Sequence, residues 1–132
     1  MKYFTVIVFF ILFFTNCTNK DKKVLEISKM SNVEILDNTF NFGNIKVYDT
    51  INHVFFLKNI SDKKFIIDTV GTSCGCTTTS YTKDSVSKNE IAKIYVKFIA
   101  DKEDFGKVSK SIVVSDNSQD GYHTFYLKGT VN

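Results

Sequence analysis

The sequence predicts an all-β protein: a seven-stranded antiparallel immunoglobulin-like β-sandwich behind a cleaved lipoprotein signal peptide. Three observations carry that expectation. Apolar and polar residues alternate at period two through most of the chain, which is the pattern of half-buried strands. Clusters of Asn, Asp, Ser and Gly separate those runs, and such residues form turns. No stretch beyond the leader repeats its apolar residues at helical spacing.

A processed N-terminal leader takes no part in the fold. Lys2 supplies a short positive start, and residues 3–14 are apolar apart from Thr5. As a helix this run reaches about 18 Å at 1.5 Å per residue. A bilayer core is about 30 Å thick, so residues 1–16 read as a cleaved signal peptide. Phe14-Thr15-Asn16-Cys17 resembles a bacterial lipobox, with Phe14 and Asn16 standing where Leu and Gly or Ala are usual. Cys17 is therefore the expected lipidation site, and two acyl chains on a thioether meet the requirement for stable anchoring. Ordinary secretion with Cys17 free or bridged is the alternative. Residues 17–32 continue as a flexible tether whose charges, Lys20, Asp21, Lys22 and Lys23, are mixed in sign.

Residues 33–132 suffice for one domain. Candidate strands run through 33–40, 51–59, 65–70, 77–82, 93–98, 111–115 and 125–131. Ile94, Val96 and Phe98 share one face, opposite Lys93, Tyr95 and Lys97. Phe125, Leu127 and Val131 do the same against Tyr126, Lys128 and Thr130. Turns fall at Asn59-Ile60-Ser61-Asp62, Lys88-Asn89-Glu90, Asp104-Phe105-Gly106 and Asp116-Asn117-Ser118. Tyr81, Tyr95 and Tyr126 are expected to face outward, where a tyrosine surface suits protein binding.

Charge excludes one class of partner. The chain has a net charge of +3 and no arginine, and its lysines are interleaved with acids. Nucleic-acid binding needs a concentrated basic face, so none is expected. The chain also lacks tryptophan, which rules out the Cys…Trp…Cys core of antibody domains.

Phe40-x-Phe42-Gly43-x-Ile45, Phe56-Leu57-Lys58-Asn59 and Ser73-Cys74-Gly75-Cys76-Thr77 resemble the Domain of Unknown Function 1573 family. Val96-x-Phe98, Gly106 with Lys110-x-Ile112-x-Val114, and Leu127-x-Gly129-x-Val131 extend the resemblance over 33–132. It implies a secreted or lipid-anchored bacterial protein with an Ig-like sandwich of unestablished function. The pattern is also similar to sperm-protein-like and pilus-chaperone-like modules, which mostly bind other proteins. Where that family often has Pro-Gly before a strand, this chain has Lys88-Asn89. Asn89 can take the left-handed conformation that glycine supplies there.

Cys74, Gly75 and Cys76 form the candidate thiol site. On an extended strand two such residues sit about 6.6 Å apart with parallel side chains, which mismatches disulfide geometry. A bridge needs a bend at Gly75 and would be strained. Four readings compete: structural packing or a tight clip, redox exchange, a two-thiolate Cu(I) site, and pairing with a partner's cysteine. His53 and His123 are weak additional ligands and read better as ordinary strand residues. No catalytic residue is expected. A Cys74 or Cys76 pair with His123 has no supporting spacing, and Asp101, Glu103 and Asp104 read as a solvated turn. The expected function is thus a non-catalytic interaction or structural module, membrane-anchored in the bacterial cell envelope and facing periplasm or cell surface. It has a protein partner and no cofactor. The alternative is a thiol redox or copper-handling protein.

Overall fold

Alternating burial builds the architecture. The computed structural model describes residues 30–132. The expected signal peptide, Cys17 and most of the expected tether lie outside the described residues. Eight strands follow in order: β1 (Val33–Ile35), β2 (Thr39–Ile45), β3 (Thr50–Asn59), β4 (Ile67–Thr72), β5 (Thr77–Tyr81), β6 (Ile91–Ile99), β7 (Gly106–Asp116) and β8 (Tyr122–Val131). They form two four-stranded sheets ordered β1-β3-β6-β5 and β2-β8-β7-β4. Every second residue of β6 is buried, as its sequence pattern requires.

The expected all-β sandwich is present, with eight strands where seven were expected. The difference comes from residues 33–40, which do not form one strand. Asp37 Oδ1 accepts the Thr39 amide at 3.0 Å, a local bond that competes with strand pairing. The chain turns there, so β1 joins β3 while β2 crosses to β8 in the other sheet. The β2–β8 pair is parallel, whereas all other strand pairs are antiparallel. A parallel pair needs a long connection, and nearly the whole domain lies between these two strands.

The two inner faces meet in one core. Phe55, Phe65, Phe98, Phe125, Leu57, Ile94, Ile112 and Leu127 are fully buried, each contributing roughly 1.5–3 kcal/mol. Phe55 and Phe125 pack across the sheets with ring centroids 4.8 Å apart. Phe42 lies over Gly129, where an added Cβ would sit 2.1 Å from its ring. Buried Asn59 is satisfied: its amide donates to Lys63 O and Val86 O, and its Oδ1 accepts from Ser61. Asn89 adopts φ +67°, the left-handed conformation expected of it.

Ser31 and the cysteines lie at different places along the sandwich. Ser31 is held beside the β7–β8 turn, through its amide to Asn117 O and its carbonyl to the Gln119 amide, both 3.0 Å. Ser73 meets Ser111, five residues back along β7 from Asp116. At ~3.3 Å per residue that is about 17 Å. No helix among the described residues is long and apolar enough to cross a membrane.

Candidate functional site

Cys74, Gly75 and Cys76 link β4 of one sheet to β5 of the other. The segment is not extended. The Thr77 amide donates to Cys74 O at 3.3 Å, closing a four-residue turn that brings the two Cα atoms to 5.4 Å in a disulfide. That separation lies inside the usual range. The bend expected at Gly75 is present, supplied by a turn outside both strands. Gly75 has no positive φ, and a Cβ there would meet nothing within 4 Å.

Hydrogen bonds fix the turn from three sides. The Ser73 amide donates to Ser111 O at 3.0 Å and the Ser111 amide to Ser73 Oγ at 3.1 Å. Thr72 Oγ1 donates towards Cys74 O at 3.0 Å and Thr77 O at 3.2 Å. The Ile99 amide donates to Cys76 O at 3.1 Å. The sulfurs differ in setting. Cys76 packs against the core, while Cys74 Sγ lies 3.5 Å from Thr77 Oγ1.

The pair opens on a depression of about 300 Å³ that Asp101, Glu103, Asp104 and Lys110 also line. The acidic segment is more structured than a solvated loop. Lys102–Asp104 form one 3-10 turn, in which Asp101 Oδ1 accepts the Glu103 amide and Asp104 Oδ2 accepts the Asp101 amide. Asp104 is buried and ion-paired with Lys110. Burial pushes its carboxyl up, but the Lys110 hydrogen bond, the Asp101 amide and the Lys110 charge outweigh that and hold it below the ordinary carboxylate value. Among the described residues no three His, Cys, Asp or Glu side chains converge as a metal site.

Neither histidine joins the cysteines. His53 stacks on Phe40 with centroids 3.9 Å apart. Burial lowers its pKa, with Asp37 opposing the shift. His123 sits opposite Val114 in the β7–β8 register, three residues along β7 from the Ser111–Ser73 contact. Its Nε2 lies 3.1 Å from Ser118 Oγ and 3.4 Å from Asp116 Oδ2. A Ser–His–Asp triad needs the serine and the carboxylate on different ring nitrogens. Here both face the same nitrogen, so the cluster is not arranged for that chemistry.

A second feature lies on the outward face of the β1-β3-β6-β5 sheet. Asn52, Val54, Phe56, Thr78, Ser80, Tyr95 and Lys97 line a depression of about 600 Å³ there. Phe56 is 37% and Tyr95 47% exposed. Lys58 and Lys93 share the face, the latter paired with Phe56 in register. β3, β5 and β6 place no carboxylate on this side; Glu34 on β1 pairs with Lys58. Tyr95 faces outward as expected. Tyr81 does not: it is partly buried against the core, and its hydroxyl donates to Asp68 O at 2.9 Å. Sequence reading singled out Tyr95 and missed its neighbours, although odd-numbered β6 positions and even-numbered β3 positions mark the same outer face.

The model of a family described as protein of unknown function (DUF1573) matches residues 33–131, and the chain belongs to that family. No curated protein matches it. A protein of unknown function from Porphyromonas gingivalis is similar in structure, with a TM-score of 0.67 and 12% identity over 89% of this chain. The chain spans about half of that protein, 51% of its length. The PapD-like domain 7 of human CEP192 is similar with a TM-score of 0.62 and 13% identity, covering 78% of this chain and 87% of that one. A family 123 glycoside hydrolase from Clostridium perfringens gives 0.59 and 14% over 77% of this chain and 27% of that one. At such identities these likenesses speak for the fold alone: an immunoglobulin-like, PapD-like β-sandwich.

Proposed function

We propose, with membership of the DUF1573 family as the premise, that this chain is a lipid-anchored, non-catalytic interaction module of the bacterial cell envelope. Its partner is an acidic protein docked on the outer face of the β1-β3-β6-β5 sheet. The observation that carries the reading is the composition of that face. Val54, Phe56 and Tyr95 offer apolar area, while Lys58, Lys93 and Lys97 surround them without an acid from the three strands β3, β5 and β6. Aromatic anchors ringed by charge are typical of binding surfaces. Two copies docked through this face would set lysine against lysine, which disfavours self-association.

Edge pairing supports the reading less well. Of the four edge strands, β1 has three residues and β5 five, while β2 and β4 both carry a register shift. Short and bulged edges resist strand addition. The anchor rests on Cys17 and the apolar leader before it.

A photoreactive residue at position 95 of the full chain, expressed in its own bacterium, tests the docking face. It should crosslink to an acidic envelope protein, and Lys93→Glu with Lys97→Glu should reduce the yield at least tenfold without altering the circular dichroism. The same residue at position 122 should not crosslink to that partner. A crosslink to lipid, or one indifferent to charge reversal, refutes the face. Cys17→Ser should move the protein from the membrane to the soluble fraction; continued membrane retention refutes the anchor.

A further inference from the structure

We propose that the Cys74–Cys76 bridge is a thiol–disulfide exchange site for a dithiol protein, with Cys74 as the sulfur that joins the partner. This goes beyond the docking reading and stands or falls separately from it. The bond closes a loop with a sequence separation of two. Loop-closure stabilisation falls as the loop shortens, so this bridge has little to contribute to folding. Nor does the turn need it. Ser73, Thr72 and Cys76 already tie the segment to Ser111, Thr77 and Ile99 through hydrogen bonds. A bond that is redundant for holding its own turn is free to open.

Its surroundings suit opening. The turn lies outside both strands, and the pair borders an open depression. Accessible disulfides are the ones a thiolate can reach. Cys76 is held against the core by packing and by its carbonyl, leaving Cys74 as the sulfur to approach. Once reduced, Cys74 has the Thr77 hydroxyl within reach of its sulfur, a donor that stabilises a thiolate; the Lys110 charge across the depression is taken up by Asp104, so the hydroxyl is the group that serves the sulfur. Phe105, 74% exposed, follows Asp104 directly and offers a partner an apolar contact beside the site.

The exchange balances. A thiolate of the partner attacks Cys74 Sγ and forms a mixed disulfide. The Cys74–Cys76 bond breaks, and Cys76 leaves with the electron pair as a thiolate. The partner's second thiolate then attacks the partner's sulfur in the mixed disulfide and displaces Cys74. Solvent protons convert the two released thiolates to thiols. The partner's dithiol has been oxidised by two electrons to a disulfide, and Cys74 and Cys76 have been reduced.

The test uses the full chain carrying Cys17→Ser, so that only this pair reacts, and a reduced Cys-x-x-Cys peptide as the probe. The folded protein should oxidise the peptide one for one while two alkylatable thiols appear at 74 and 76 by mass. Resistance to the peptide until the chain is unfolded overturns the proposal in favour of a structural clip. Cys76→Ser should capture a disulfide probe at least tenfold faster than Cys74→Ser; equal or reversed rates overturn the assignment to Cys74. Cys74→Ser with Cys76→Ser should abolish peptide oxidation and keep the native circular dichroism spectrum. Loss of fold in that variant also makes the bridge structural.

Discussion

The sandwich core and the cysteine turn sit side by side, yet different forces fix their residues. In the core, each side chain is set by its neighbours: Phe98, Ile94 and Phe125 are fully buried, and removing any one leaves a void. In the turn, Gly75 touches nothing within 4 Å where a Cβ would go. There the bridge spans so few residues that the chain-entropy relation gives it roughly 1.5 kcal/mol, against about 3 kcal/mol for a fifteen-residue loop. Packing accounts for the core. It does not account for two cysteines in a turn that hydrogen bonds already hold, and that residue is where chemistry is to be sought.

The largest expected effect breaks the core side of this contrast. Phe98 is fully buried, its ring lies 5.8 Å from Phe42, and Lys110 Nζ sits 5.5 Å above it. Phe98→Ala should cost about 3–5 kcal/mol in urea unfolding. It should also loosen Lys110 beside the cysteine depression. A loss below about 1 kcal/mol would mean that the core is not packed as described. Next comes a pair of glycines. Gly129→Ala drives a methyl to 2.1 Å from the Phe42 ring and 2.6 Å from Gly43 O, so it should cost about 1–3 kcal/mol through overpacking. Gly75→Ala, in open space, should stay within about 0.5 kcal/mol of the parent. Equal effects at the two glycines would erase the contrast.

Much of this was legible from residue order. The alternation of Ile94, Val96 and Phe98 predicts a half-buried strand, and β6 buries those three. Asn89 in place of glycine predicts a left-handed residue, and its φ is +67°. Local rules failed where a choice was non-local. Nothing in 33–40 says that the two sides of Asp37 serve different sheets, because the partners, β3 and β8, lie far along the chain. The run Thr77-Thr78-Thr79-Ser80 before Tyr81 is polar throughout and marks no face, so only its pairing opposite buried Ile94 turns Tyr81 inward, where its hydroxyl finds Asp68 O. The acidic run 101–104 reads as solvated because its cation, Lys110, stands on the following strand. Cys74-Gly75-Cys76 announces sulfur chemistry by composition, but whether a bridge fits depends on a turn that only the pairing of β4 and β5 with their neighbours creates.

The smallest effect tests how tightly the cysteine depression is bound to the fold. Asp104 keeps a depressed pKa through Lys110 and the Asp101 amide, against the opposing push of burial. An unfolded aspartate binds its proton near pH 3.9, above the folded value. The unfolded chain therefore takes up that proton first as the solution is acidified. The contribution of Asp104 is fully present above about pH 4 and is lost as pH falls through the folded value. Unfolding followed between about pH 6 and pH 2.5 should show this limb, and Asp104→Asn should flatten it. Asp62 also has a lowered pKa, chiefly from its hydrogen bond to Lys88, but that pair is exposed. Salt near 1 M, with a Debye length of about 3 Å, should suppress the Asp62 part and spare the buried pair. If salt removes the whole limb, Lys110 is not holding Asp104 in a dry site, and the floor of the cysteine depression is looser than the core beneath it.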